Sequence, residues 1–162
     1  MKNIVLVGFA TSGKTTVGKL LAQQLGLQFV DVDEQIVQLC GDTIANVFQQ
    51  KGEMFFRRKE NTVVEQLCHT QNTVVACGGG SVLAPKFSAL AQNSTVVWLQ
   101  IDTQTAFERI DQSRPLFWQM HPKQLAQTME TRNFYYQTFA KICIDANGKT
   151  PQQIVEEICK AL

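Results

Sequence analysis

At 162 residues and 44% hydrophobic content the chain has the length of one domain and enough apolar residues for a core, which excludes a disordered polypeptide. With 15 basic and 14 acidic side chains the net charge is +1, so a polyanion is not the expected partner and no nucleic-acid contact is read here. Five cysteines without a CxxC pair, an N-terminus with no cleavage site and the lack of a run of about 20 apolar residues predict a cytoplasmic protein with reduced thiols and no membrane contact.

In chain order, the apolar run "NIVLVG" (3–8) predicts a first strand, and the next segment reads as a helix ending at Gly26. That helix carries Val17, Leu20, Leu21 and Leu25 on one stripe. A second strand, "LQFVDV" (27–32), is followed by helical pieces at 43–52 and 53–68. Strands at 72–77 and 94–101, a helix at 103–110, a helix at 122–139, a strand at 141–145 and a helix opening at Pro151 complete the series. Continuous apolar strands alternating with helices imply an α/β fold: a five-stranded parallel sheet flanked by helices, with right-handed crossovers. Two stretches exceed a minimal crossover. Residues 33–62 read as a substrate platform, and the proline-broken, aromatic 111–123 reads as a lid.

Gly8 to Thr15 match GxxxxGK[ST] between a strand and a helix, the frame this motif requires. Backbone N–H groups around Gly13 and Lys14 converge there, and the helix dipole adds positive potential. Ala10, Thr11, Ser12, Gly13, Lys14, Thr15 and Thr16 are therefore the expected cradle for a nucleoside triphosphate, with Lys14 on the terminal phosphates and the Thr15 hydroxyl on Mg²⁺. The acceptor must be sought elsewhere. Asp31 and Asp33, two apart at the end of the second strand, are expected on one side of it, at the sheet edge where ligands bind. One would serve Mg²⁺ and the other an attacking hydroxyl; Asp33 as a plain helix cap reads equally well. Arg57 and Arg58, "CGGG" (77–80), "RPL" (114–116) and "RNFYY" (132–136) add basic sites and bare backbone around the same loop, with Gly78, Gly79 and Gly80 open to close approach by a substrate. Cys77 reads as a buried filler, Trp98 as packing, and His69 and His121 as unrelated to metal.

The order and spacing of "GFATSGKTT", "DVD", "GEMFFRR", "VVACGGG", "RPL" and "RNFYY" over nearly the whole chain resemble the shikimate kinases. The resemblance implies a P-loop fold of the nucleoside-monophosphate-kinase type and transfer of the γ-phosphoryl group of ATP, with Mg²⁺, to the 3-hydroxyl of shikimate. It makes Asp33 the residue that binds substrate hydroxyls and serves or positions the base, and Arg57 and Arg132 the carboxylate clamp. It gives Gly79 a backbone contact to substrate, puts Phe48 and Phe56 in the pocket wall and sets Glu60 behind Arg57. Lys14 and Arg114 would stabilise the transferring group, Thr15 and Asp31 would hold Mg²⁺, and Arg109 would lie near the adenine. A kinase of gluconate and a non-catalytic shikimate sensor are the rival readings; the first does not need the FRR…GGG…R set, and the second would be expected to lose Lys14, Asp33 or a clamp arginine. Two further expectations concern this chain. A left-handed backbone at position 11 would strain Thr11, and Phe117, Trp118 and Met120 would pack over the closed site. With no spare apolar helix face, a monomer is expected.

Overall fold

The computed structural model describes residues 2–162. Five parallel strands, β1 (Asn3–Val7), β2 (Gln28–Asp31), β3 (Thr73–Ala76), β4 (Ser94–Gln100) and β5 (Ile142–Asp145), form one sheet in the order β2-β3-β1-β4-β5. Each sequence-predicted strand lies within a residue or two of its observed place. Only the central strands β1 and β3 are buried along their full length, because helices cover both their faces; the edge strands β2 and β5 keep exposed positions.

The alternation of strand side chains divides the interior in two. Ile4 and Leu6 face one core with Val17, Leu21, Ile154 and Ile158. Val5 and Val7 face the other with Val32, Ile36, Val63 and Phe87. Helix α1 (Lys14–Leu25) and helix α7 (Pro151–Ala161) therefore pack on the first face. Helices α2 (Val32–Cys40), α3 (Ile44–Leu67) and α4 (Phe87–Gln92) pack on the second. Helix α5 (Thr103–Arg109) and helix α6 (Pro122–Phe139) follow β4. The α1 C-terminus at Gly26 and the start of α7 at Pro151 agree with the sequence signals, and a capping box at Thr150 opens α7.

Three local details differ from the sequence reading. Helix α2 begins at Val32, so β2 ends at Asp31 and Asp33 already stands in a first helical turn; the strand-end geometry expected for the two carboxylates is not formed. The pieces at 43–52 and 53–68 run on as α3, broken only at Gly52 (φ 80°, ψ 172°), a backbone region open to glycine alone. A 3₁₀ turn (Ser81–Leu83) and α4 occupy the stretch after the third strand, for which the sequence offers no clear periodicity. The outer face of α6 is also less polar than expected, since Phe134 and Tyr135 stack edge-to-face there at 5.7 Å, both exposed. Among the described residues no helix is long and apolar enough to cross a membrane.

Candidate active site

The site lies at the carboxyl edge of the sheet, where the loop after β1 enters α1. Gly13 caps α1, and the free N–H groups of the first turn open toward a cavity lined by Ala10, Thr11, Gly13 to Thr16, Asp31, Asp33, Arg109 and Arg114, among others. Lys14 is buried; its Nζ donates to the carbonyls of Gly8 and Phe9 at 2.8 and 2.7 Å and to Ser12 Oγ at 3.3 Å. Burial, reinforced by Arg114, lowers its pKa to about 8 against the opposing pull of Asp33. Thr11 keeps a negative φ, because the only described non-glycine residues at positive φ are Asn72 and Gln119. The strain expected at Thr11 is absent: the residue is buried under α5, its carbonyl accepting from Arg109 Nη1 at 3.2 Å and its hydroxyl donating to Ala106 O at 3.5 Å.

Of the two carboxylates it is Asp31, not Asp33, that caps the following helix. Asp31 is the helix cap, accepting from the Asp33 and Glu34 N–H groups at 2.9 and 3.3 Å through Oδ1, while Oδ2 accepts from Thr15 Oγ1 at 2.5 Å. Asp33 is thereby released from capping and faces the cleft. Burial, then the Asp31 and Glu60 carboxylates, raise its pKa to about 6, opposed by Lys14 and Arg114. A carboxylate poised that close to neutrality is suited to take a proton. Thr15 and Asp31 offer the hard oxygen atoms that Mg²⁺ prefers, and the described residues hold no cluster of three or more His, Cys, Asp or Glu side chains. Such a pair fits an ion whose remaining ligands are phosphate and water.

A second cavity adjoins the first and is lined by Ile44, Phe48, Phe56, Arg57, Gly80, Arg114, Leu116, Phe117 and Arg132, among others. Ala10, Asp33, Gly78, Gly79 and Arg114 line both cavities. Phe48 and Phe56 stack at 4.7 Å to make one wall, and Arg57 lies over Phe56 at 5.4 Å. Arg57 Nη1 donates to Glu60 Oε1 at 2.8 Å, and the second oxygen of that almost fully buried carboxylate accepts from Ser81 Oγ at 2.9 Å. Arg132 is 5% exposed and no carboxylate of the described residues lies within ion-pair distance of it. A buried guanidinium in that state, facing a cavity, calls for an anion.

The glycines are explained by what presses on them. A Cβ on Gly80 would stand 2.3 Å from Arg57 Nη1, and one on Gly78 would stand 2.9 Å from Asp33 Oδ1. Ser81 and Tyr136 are structural parts of the site that sequence reasoning passed over. The Tyr136 hydroxyl donates to the Gly79 carbonyl, and burial pushes its phenol up so that it remains a donor. Its signal was its place four residues after Arg132 on one helix face. In the 111–123 stretch Phe117 is buried, while Trp118 is 41% exposed and lines neither cavity. Cys77 is a buried filler whose thiol burial pushes up, and His121 caps α6 through Nδ1.

The shikimate kinase family model matches residues 10–162. Shikimate kinases of Sulfurihydrogenibium sp. and Persephonella marina are 44% and 42% identical, each over 98% of this chain and over 96% and 97% of their own lengths. A solved shikimate kinase from Acinetobacter baumannii, in complex with shikimate, superposes with a TM-score of 0.93 at 33% identity, covering 99% of this chain and 92% of that one. A family model that matches residues 10–162 and relatives 42–44% identical over nearly the whole chain show that the chain belongs to the shikimate kinase family.

Proposed function

We propose that the protein transfers the γ-phosphoryl group of ATP to the 3-hydroxyl of shikimate, giving shikimate 3-phosphate and ADP. The observation that carries this reading is the place of Asp33, which lines both the phosphate cavity and the arginine-bearing cavity. Arg57 and Arg132 hold the substrate carboxylate, Arg57 aimed by Glu60 and both suited by their planar donors to a bidentate acid. Phe48 and Phe56 wall the ring, and the glycines 78–80 let it approach the backbone. The 33–62 region then serves as the substrate platform and 111–123 as the lid.

The acceptor oxygen attacks the γ-phosphorus, the bond from that phosphorus to the bridging oxygen of ADP breaks, and Asp33 takes the hydroxyl proton. Lys14 leaves its loop carbonyls for the phosphates, and with Arg114 it offsets charge on the transferring group. Thr15 and Asp31 would hold Mg²⁺, which when bound would neutralise phosphate charge. Arg109, tied to Thr11, borders the base side of the nucleotide. Lid closure excludes water that would otherwise hydrolyse ATP. We take the protein to act as a monomer in the cytoplasm: the described cysteines are free thiols, and the exposed aromatic pair on α6 is a small patch for an interface.

The test is ADP release from Mg·ATP with and without shikimate, with Asp33→Asn beside the parent. Strong stimulation by shikimate that the variant loses is the expected result. ATP binding without stimulation overturns the assignment of the substrate.

A further inference from the structure

The lid bears one deeply buried side chain, and its surroundings are specific. The Phe117 ring is 6% exposed and sits 4.8 Å from the ring of Phe9, the residue that follows the first glycine of the phosphate loop. The guanidinium of Arg132 also lies over the ring, its central carbon 5.0 Å from the ring centroid. The Phe117 N–H donates to the Arg114 carbonyl at 3.0 Å, as does the Trp118 N–H at 2.9 Å, so Arg114 and Phe117 belong to one tight turn.

Each contact has a consequence. A ring stacked on one face of a guanidinium compensates part of its charge and fixes its plane, and it leaves the N–H edge open for a planar acid. Arg132 gains from this more than most arginines do, since it is buried and no carboxylate of the described residues lies within ion-pair distance. The Phe9 contact ties the same ring to the phosphate loop. The shared turn then sets where Arg114 stands over the two cavities it lines.

Resting on the reading of the site given above, we propose that Phe117 is a positioning residue for phosphoryl transfer. Its aromatic face holds Arg132 in the plane that receives the substrate carboxylate, and its seat on Phe9 registers lid Arg114 with the phosphate loop. An aliphatic side chain of similar volume fills the gap but offers no π face, so it retains the packing and loses the guanidinium contact.

The test compares the parent, Phe117→Leu and Phe117→Tyr, measuring kcat, KM for shikimate, KM for Mg·ATP, the ratio of ADP released to shikimate 3-phosphate formed, and Tm. Phe117→Leu is expected to raise KM for shikimate about tenfold. Its KM for Mg·ATP should stay within about twofold of the parent, with more ADP released per product formed and Tm close to the parent. Phe117→Tyr retains the face and should stay within about threefold of the parent in KM for shikimate. A Leu variant with parental KM for shikimate and parental coupling, or a Tyr variant as impaired as Leu, overturns the role of Phe117 while the substrate assignment stands. A parent that shikimate does not stimulate overturns the substrate assignment and this inference with it. If Phe117→Leu fails to fold, Phe9→Leu replaces it: a parental ADP-to-product ratio in that variant is the overturning result, and a raised one supports the registering contact.

Discussion

Arg57 reaches Glu60 one turn further along α3, at 2.8 Å, and Glu60 is held in turn by Ser81 at 2.9 Å. Glu60 lines the same cavity as Arg57, and at 1% exposure it is a buried anion whose partner is that cation. Glu60→Gln retains both hydrogen bonds in outline but removes the charge. The expected result is a rise in KM for shikimate of about tenfold with a smaller change in kcat, and a stability loss of about 1–2 kcal/mol read by urea unfolding. An unchanged KM would remove Glu60 from the aiming of Arg57.

Gly80→Ala separates binding from folding. The three atoms nearest the added methyl all belong to the guanidinium of Arg57, the movable end of a long side chain, so the fold can absorb it while the arginine is displaced. We expect KM for shikimate to rise by about 10- to 100-fold at a cost to stability of less than about 1 kcal/mol. Steady-state kinetics and a thermal melt decide it. A variant that melts far earlier with parental KM would place the pressure on the backbone instead.

Asp33 links activity to stability through pH. Its folded pKa of about 6 stands above the ordinary 3.8, so the folded state binds this proton more tightly than the unfolded chain does. The stabilisation from the bound proton is complete below pH 3.8 and is lost as pH rises through about 6, so at pH 7 the ionised group weighs against folding. Asp33→Asn should therefore abolish turnover yet stabilise the protein by about 1–3 kcal/mol at pH 7.5, with the gain fading toward pH 4. Melting curves of parent and variant across that range test the sign.

The pH profile of kcat/KM should fall on the acid side near 6, as Asp33 is protonated, and on the alkaline side near 8, as Lys14 loses its charge in the free protein. Bound phosphate raises the Lys14 pKa, so the alkaline limb of kcat should lie higher than that of kcat/KM. Coincident alkaline limbs would show that Lys14 is not the group responsible.

Thr15→Val removes the hydroxyl that donates to Asp31 and the oxygen assigned to the metal while leaving the volume nearly unchanged. The Mg²⁺ concentration needed for half-maximal rate should rise about tenfold or more, with shikimate binding in the absence of nucleotide unaltered. Metal titration and calorimetry read the two effects separately.

Much of this is legible in the sequence. The strands were legible because buried parallel strands are written as continuous apolar runs, and the phosphate loop because a motif between strand and helix leaves few alternatives. Arg57, Arg132 and the glycines were readable as a set in their order. Which of Asp31 and Asp33 caps the next helix was not, because two carboxylates two residues apart look alike until the strand ends and the helix begins. The backbone turn at Val32 makes Asp31 the cap and frees Asp33.

The sequence by itself determined the α/β alternation, the phosphate loop and the identity of the arginines, since these follow from local periodicity and spacing. Only the tertiary structure decided which side chains press on one another across long separations: Ser81 behind Glu60, Tyr136 on Gly79, Phe117 between Phe9 and Arg132. Those contacts join segments brought together by sheet order and helix packing. No local preference of the chain encodes a distance between residues 9, 117 and 132, and burial gives that distance its energetic weight.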